Sequence, residues 1–132
     1  MITKENILLW LKELPVKADN YYCGYLDNKK EKSFGIYDLK NRFEKAVGGK
    51  ETTLTHKKGV SILIHWTQST RETENKAVEL YKAIQQASHD INNLPVSYIE
   101  MAQNAPVDVG ADENGIMEQV IEFNIYYTEK EI

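Results

Sequence analysis

From Met117 to Tyr127 the chain reads MEQVIEFNIYY, with apolar side chains at Met117, Ile121, Phe123, Ile125 and Tyr127 and polar ones at Glu118, Glu122 and Asn124. This period-two alternation predicts a long strand with one buried face. Such a strand builds scaffold, so the chain closes with a sheet element. Just before it, Asp112, Glu113, Asn114 and Gly115 form a turn signal, because Asn-Gly tolerates the positive φ of tight hairpin turns. None of these residue types in this pattern carries chemistry.

Upstream, Thr3 is a candidate N-cap, with Glu5 in the first turn and Ile7, Leu8, Leu11 and Leu14 on one stripe before Pro15 ends the helix. Tyr21–Leu26 and Phe34–Leu39 read as strands joined by Asp27-Asn28-Lys29-Lys30-Glu31-Lys32, a polar connector that predicts a β-hairpin. Val60–Trp66 (VSILIHW) is nearly all apolar and β-branched, the pattern of a central strand. Ser69-Thr70-Arg71-Glu72 has capping-box spacing. It opens a helix to about Ala87 whose inward face carries Ala77, Leu80, Tyr81, Ile84 and Ala87. Asn92-Asn93-Leu94-Pro95 then breaks the pattern, Val96–Met101 is another strand, and Asn104-Ala105-Pro106 leads into the closing strand. The expected fold is α+β over a single domain, residues 1–132: a mainly antiparallel or mixed sheet, two helices packed on one face, and a long exposed loop.

That loop spans Lys40 to Lys58, where apolar periodicity lapses around Gly48-Gly49 and an exposed, flexible segment is expected. Between Leu39 and Gly59 lie Lys40, Arg42, Lys45, Lys50, Lys57 and Lys58 against Glu44 and Glu51, a local +4 in a chain of net charge -4. The remainder therefore carries -8. A basic loop on an acidic body is suited to reaching a neighbouring copy, and these six residues are the expected subunit or partner contacts.

Signatures of catalysis and cofactor binding do not emerge. The seven glycines form neither GxGxxG nor GxxxxGK[ST], and His56, His65 and His89 make no HExxH or similar pair. His65 reads as a packed or hydrogen-bonded strand residue and not a ligand, since no partner is placed to meet it. Asp108, Asp112 and Glu113 lack EF-hand spacing and read as turn and cap residues. Glu118 and Glu122 share a strand face, but its polar one, so a solvated surface explains them better than an acid/base pair. Cys23 is the only cysteine and can form no intrachain disulfide. No catalytic residue, cofactor, metal or small-molecule substrate is expected. The charged N-terminal segment lacks a signal-peptide core, and no stretch approaches a membrane span, which points to a protein made in the cytoplasm. The aromatics Tyr21, Tyr22, Tyr25, Phe34 and Tyr37 beside Lys29, Lys30 and Lys32 leave a second reading open: a single-stranded nucleic-acid-binding module.

Three blocks together, CGYLDNKKEKSFGIYDL (Cys23–Leu39), KGVSILIHWTQSTRETENKAVELYKAI (Lys58–Ile84) and PVDVGADENGIMEQVIEFNIYY (Pro106–Tyr127), give this chain a broader likeness. It resembles the minor capsid protein family of tailed phages and prophages of Gram-positive bacteria, whose members are similar to tail terminators, also called tail completion or head-tail joining proteins. The resemblance implies a virion structural protein, made in the bacterial host, that assembles as a ring, six subunits being the expected number. It also implies a place at the head-proximal end of the tail tube, with the major tail tube protein and head connector proteins as partners. It offers no catalytic residues to carry over.

Overall fold

The computed structural model describes residues 1–39, 53–87 and 90–130. Its elements run α1 (Lys4–Glu13), β1 (Asn20–Cys23), β2 (Ser33–Asp38), β3 (Thr53–His65), α2 (Thr70–Gln86), β4 (Val96–Met101), β5 (Val107–Ala111) and β6 (Met117–Lys130). The strands form one open, mixed sheet in the order β1-β2-β3-β6-β4, with β5 also on β6. All pairings are antiparallel except β1 with β2. The α+β expectation holds.

Local chemistry explains the helices. Thr3 Oγ1 accepts from Asn6 N and Asn6 Oδ1 accepts from Thr3 N, a reciprocal cap that satisfies two backbone donors at the start of α1. The helix stops at Glu13, and Leu14 adopts the extended backbone that a following proline imposes. For α2, Ser69 Oγ accepts from Glu72 N, but the Glu72 carboxylate accepts from Thr67 Oγ1 at 3.0 Å instead of returning to the cap, so only half of the expected box forms. The inward faces are Ile7, Trp10 and Leu11 on α1 and Thr73, Ala77, Leu80 and Ile84 on α2.

Strand register builds the surface on which both helices rest. Ile36 lies opposite Ile62, and Ile62 opposite Ile121, while Phe34 lies opposite Ile64. These side chains, with Phe123 and Ile125, join those of α1 and α2 in one buried cluster, so both helices cover the same face. At roughly 1.5–3 kcal/mol for each fully buried Ile, Leu or Phe, this layer is the main source of stability. Among the described residues, the other sheet face carries no helix.

Three sequence readings need correction. Tyr21–Leu26 and Phe34–Leu39 do not make a hairpin: β1 and β2 are parallel, with Tyr21 opposite Phe34 and Cys23 opposite Ile36. The connecting segment, residues 24–32, contains two reversals, one at Gly24 (φ 77°) and one at the Asp27–Lys30 turn, where Lys30 N donates to Asp27 O. One reversal yields a hairpin, whereas two return the chain to the start of the neighbouring strand. Second, β3 begins at Thr53, so the C-terminal part of the loop read from Lys40 to Lys58 is strand, held against β6 from Thr53↔Lys130 onward. The rest of that loop, residues 40–52, lies outside the described residues. Third, Val107–Ala111 is a strand of its own. It follows β4 end to end along the same edge of β6, β4 meeting residues 123–127 and β5 residues 117–120. Pro106 and Gly110 masked its alternation, and Gly110 (φ 97°) indeed sits at a register shift. The β5–β6 turn follows the Asn-Gly signal with a single left-handed residue, Gly115 (φ 78°), its N–H donating to Asp112 O at 3.0 Å.

Candidate assembly surfaces and the His65 cluster

The expected contact residues fall in two groups. Lys40, Arg42, Lys45 and Lys50 lie outside the described residues. Lys57 and Lys58 are neighbours on β3 and therefore point to opposite faces of the sheet. Lys58 is on the helix side, where its Nζ donates to Asp38 Oδ1 at 2.6 Å while Lys4 Nζ donates to Asp38 Oδ2 at 2.9 Å. The two ammonium groups hold the Asp38 carboxyl below its ordinary range, chiefly through these hydrogen bonds. Lys58 is thus engaged within its own chain. Lys57 is exposed on the helix-free face, across from Tyr126.

β2 pairs with β3 only from Val60 to His65, and Leu39 N adds one bond to Gly59 O. From Thr53 to Lys58, β3 is held by β6 alone among the described residues. Among the described residues, the outer edges of the sheet are β1 on one side and β4 with β5 on the other. Val107 and Val109 on β5 and Tyr98 on β4 are exposed. Strand edges of this kind are templates for another chain unless blocked.

On the helix-free face, Tyr98 stacks on Tyr126 with centroids 4.5 Å apart and planes within 12°. Glu100 Oε1 accepts from both Tyr126 Oη and Asn124 Nδ2. Partial burial, with Glu100 alongside, pushes the Tyr126 phenol up to about 12. Charge is strongly segregated in the sequence: residues 83–129 contain eight carboxylates and no lysine or arginine. The aromatics that raised the nucleic-acid reading do not share one platform. Phe34 is fully buried under the edge of Tyr21, whose hydroxyl accepts from Ala18 N, whereas Tyr22 and Tyr25 pair separately.

His65 is a packed and hydrogen-bonded strand residue, as read from the sequence, but the partners that the sequence did not place for it are present. It is fully buried on the helix-free face, and it has partners on three sides. Its Nδ1 is 2.9 Å from Glu118 Oε2, the residue opposite it in the β3–β6 register, and 3.7 Å from Asp112 Oδ2. Its Nε2 is 3.0 Å from the carbonyl oxygen of Asn28, which the 24–32 segment lays over the sheet. Asp112 plays its expected turn role through Oδ1 only, which accepts from Asn114 N and Ile116 N. Its Oδ2 is buried and has no hydrogen-bond partner. Glu122, the other carboxylate weighed for acid/base work, accepts from Gln103 Nε2 and takes no part in this cluster. A pocket lined by Thr70, Thr73, Asp108, Met117 and Gln119 has a volume near 140 Å³, below the several hundred Å³ of ordinary small-molecule sites.

The family of bacteriophage tail terminator proteins matches residues 1–129. The chain belongs to this family. A tail terminator is a structural component of the phage tail, so the chain's role lies in the virion, in contact with tail and head components. The family is structural and not catalytic. Among curated proteins nothing matches. No helix among the described residues is long and apolar enough to cross a membrane.

Proposed function

We propose that the chain is a ring-forming tail terminator: copies assemble head to tail into a closed ring, six being the expected number, at the head-proximal end of the tail tube. The ring stops tube growth against the major tail tube protein and presents its other side to the head connector proteins. Family membership over residues 1–129 supports the tail role. What supports a cyclic assembly is that the two sheet edges are different surfaces, a short parallel edge at β1 and an apolar, acid-flanked edge at β4 and β5. A ring needs two unlike patches per subunit that fit each other.

Charge gives that fit a direction. The cations Lys40, Arg42, Lys45, Lys50 and Lys57, with Lys58 anchoring the root of the strand at Asp38, face a carboxylate-rich region, residues 83–129, on the adjacent copy. The test replaces Lys40, Arg42, Lys45 and Lys50 by glutamine and follows ring formation by sedimentation and native mass spectrometry at low and high salt. Loss of rings, or loss of their salt sensitivity, is the expected result. Assembly and salt response identical to the parent protein would remove the loop from the interface, and tails of normal length without this protein would remove the terminator role itself.

A further inference from the structure

The cluster beneath the 24–32 segment carries more than a packed histidine. Asn28 O is an acceptor only, so His65 Nε2 must carry a proton and donate it. In the neutral ring this leaves Nδ1 as a lone pair, on a wholly buried side chain, aimed at two carboxylate oxygens that are also acceptors. Such an arrangement is resolved by a further proton, on the ring or on a facing carboxyl, or by a metal ion.

Geometry and charge favour the ion. A proton on Nδ1 satisfies Glu118 Oε2 at 2.9 Å, but Asp112 Oδ2 at 3.7 Å is beyond hydrogen-bond range and stays buried without a donor. An imidazolium also supplies one positive charge against two carboxylates, whose side chains are only 12% and 16% exposed, leaving a net negative charge out of water. A divalent cation with a neutral imidazole balances the set and takes all three atoms. Those atoms lie within 4.8 Å of one another. Tetrahedral ligands on bonds of 2.0–2.2 Å are about 3.4 Å apart, between the two separations found here. The Nε2–H···O=C bond to Asn28 is the outer contact that fixes the tautomer and ring orientation of metal-binding histidines.

We infer that His65 Nδ1, Asp112 Oδ2 and Glu118 Oε2 form a binding site for a divalent transition-metal ion of the zinc or manganese class. One nitrogen and two carboxylate oxygens suit these ions, whereas calcium and magnesium prefer oxygen alone. The ion ties β3, the β5–β6 turn and β6 together under the 24–32 segment, at the His65–Glu118 end of the β3–β6 pair. This site does not depend on ring formation.

The test uses the full chain without a histidine tag, freed of metal by a chelator and titrated with zinc chloride by calorimetry, with calcium chloride as control. One zinc per chain, no calcium uptake, and a rise in melting temperature of about 5–10 °C at saturating zinc are expected. Asp112→Asn keeps the turn acceptor at Oδ1 and Glu118→Gln keeps the side-chain shape, so both variants should fold. Each should bind zinc at least about tenfold more weakly. No zinc uptake by the parent protein would overturn the inference; equal affinity in the parent and both variants would place any bound zinc elsewhere and overturn it too.

Discussion

The two faces of the sheet are made by the same strands yet follow opposite rules. On the helix-covered face, cross-strand neighbours are Ile36, Ile62 and Ile121, closed over by α1 and α2 without a charged group among them. On the other face the corresponding rows hold His65 and Glu118, Ser61 and Glu122, Gly59 and Asn124. Burial there is achieved by a nine-residue crossing segment and by side-chain hydrogen bonds instead of a helix layer. The contrast teaches that one surface supplies stability, while the other is left available for partners and for polar chemistry.

The sharpest way to break this contrast is at its apolar centre. Ile62→Ala removes a fully buried side chain between two isoleucines and should cost about 2–5 kcal/mol in a urea unfolding curve, whereas Ser61→Ala next to it, on the polar face, should stay within about 0.5 kcal/mol. If both cost the same, the division of labour is wrong. Gly35 tests the polar face itself. A Cβ there would come within 3.0 Å of the Tyr37 ring and 3.1 Å of Leu26 Cδ1, so Gly35→Ala should lose about 1–2 kcal/mol of stability by loosening the crossing segment, measured by the same unfolding curve and by faster amide exchange around Asn28.

Smaller effects sharpen the picture at the margins. Asp38 has its folded pKa lowered by Lys58 and Lys4, so its contribution is present above the ordinary carboxyl value near 4 and is lost as pH falls through the lower folded value. Its side chain is half exposed, so Asp38→Asn should cost under about 1 kcal/mol at pH 7, and the gap between variant and parent should close on acidification below pH ~4. A gap that persists at pH 2 would mean the aspartate acts through packing. Smallest of all, Tyr126→Phe should leave stability at pH 7 nearly unchanged. Its signature is the loss of one phenolate transition near pH 12 in the absorbance titration, since the raised value preserves its contribution below pH 10 and forfeits it between there and 12.

Much of this architecture was readable from local pattern. Thr3, Pro15 and Ser69 mark the helix limits, the β-branched run at Val60 marks a central strand and the alternation from Met117 a long closing one, because caps and periodicity depend on residues a few positions apart. What escaped was set by distance. The parallel pairing of β1 depends on where a nine-residue segment delivers the chain, and the partners of His65 depend on strand register, Glu118 lying 53 positions away. A signal was present: placing the alternation of β6 against VSILIHW puts His65 and Glu118 on the same polar face, but a single sequence does not choose the register that makes them neighbours. The strand nature of Thr53–Lys58 was hidden for a related reason, since its threonines and lysines form a strand through support from β6.

β6 has a further consequence for how the chain is made. Among the described residues it is the sole partner of β5, joins β4 to the rest, and meets β3 in pairs between 53 and 77 positions apart in the sequence. A ribosome must therefore release the chain beyond Met117 before the central pair of strands can meet. Premature termination ahead of Met117 would produce a chain with two helices and no middle to its sheet, a species for host proteases, so that only finished copies survive to compete for a place in the particle.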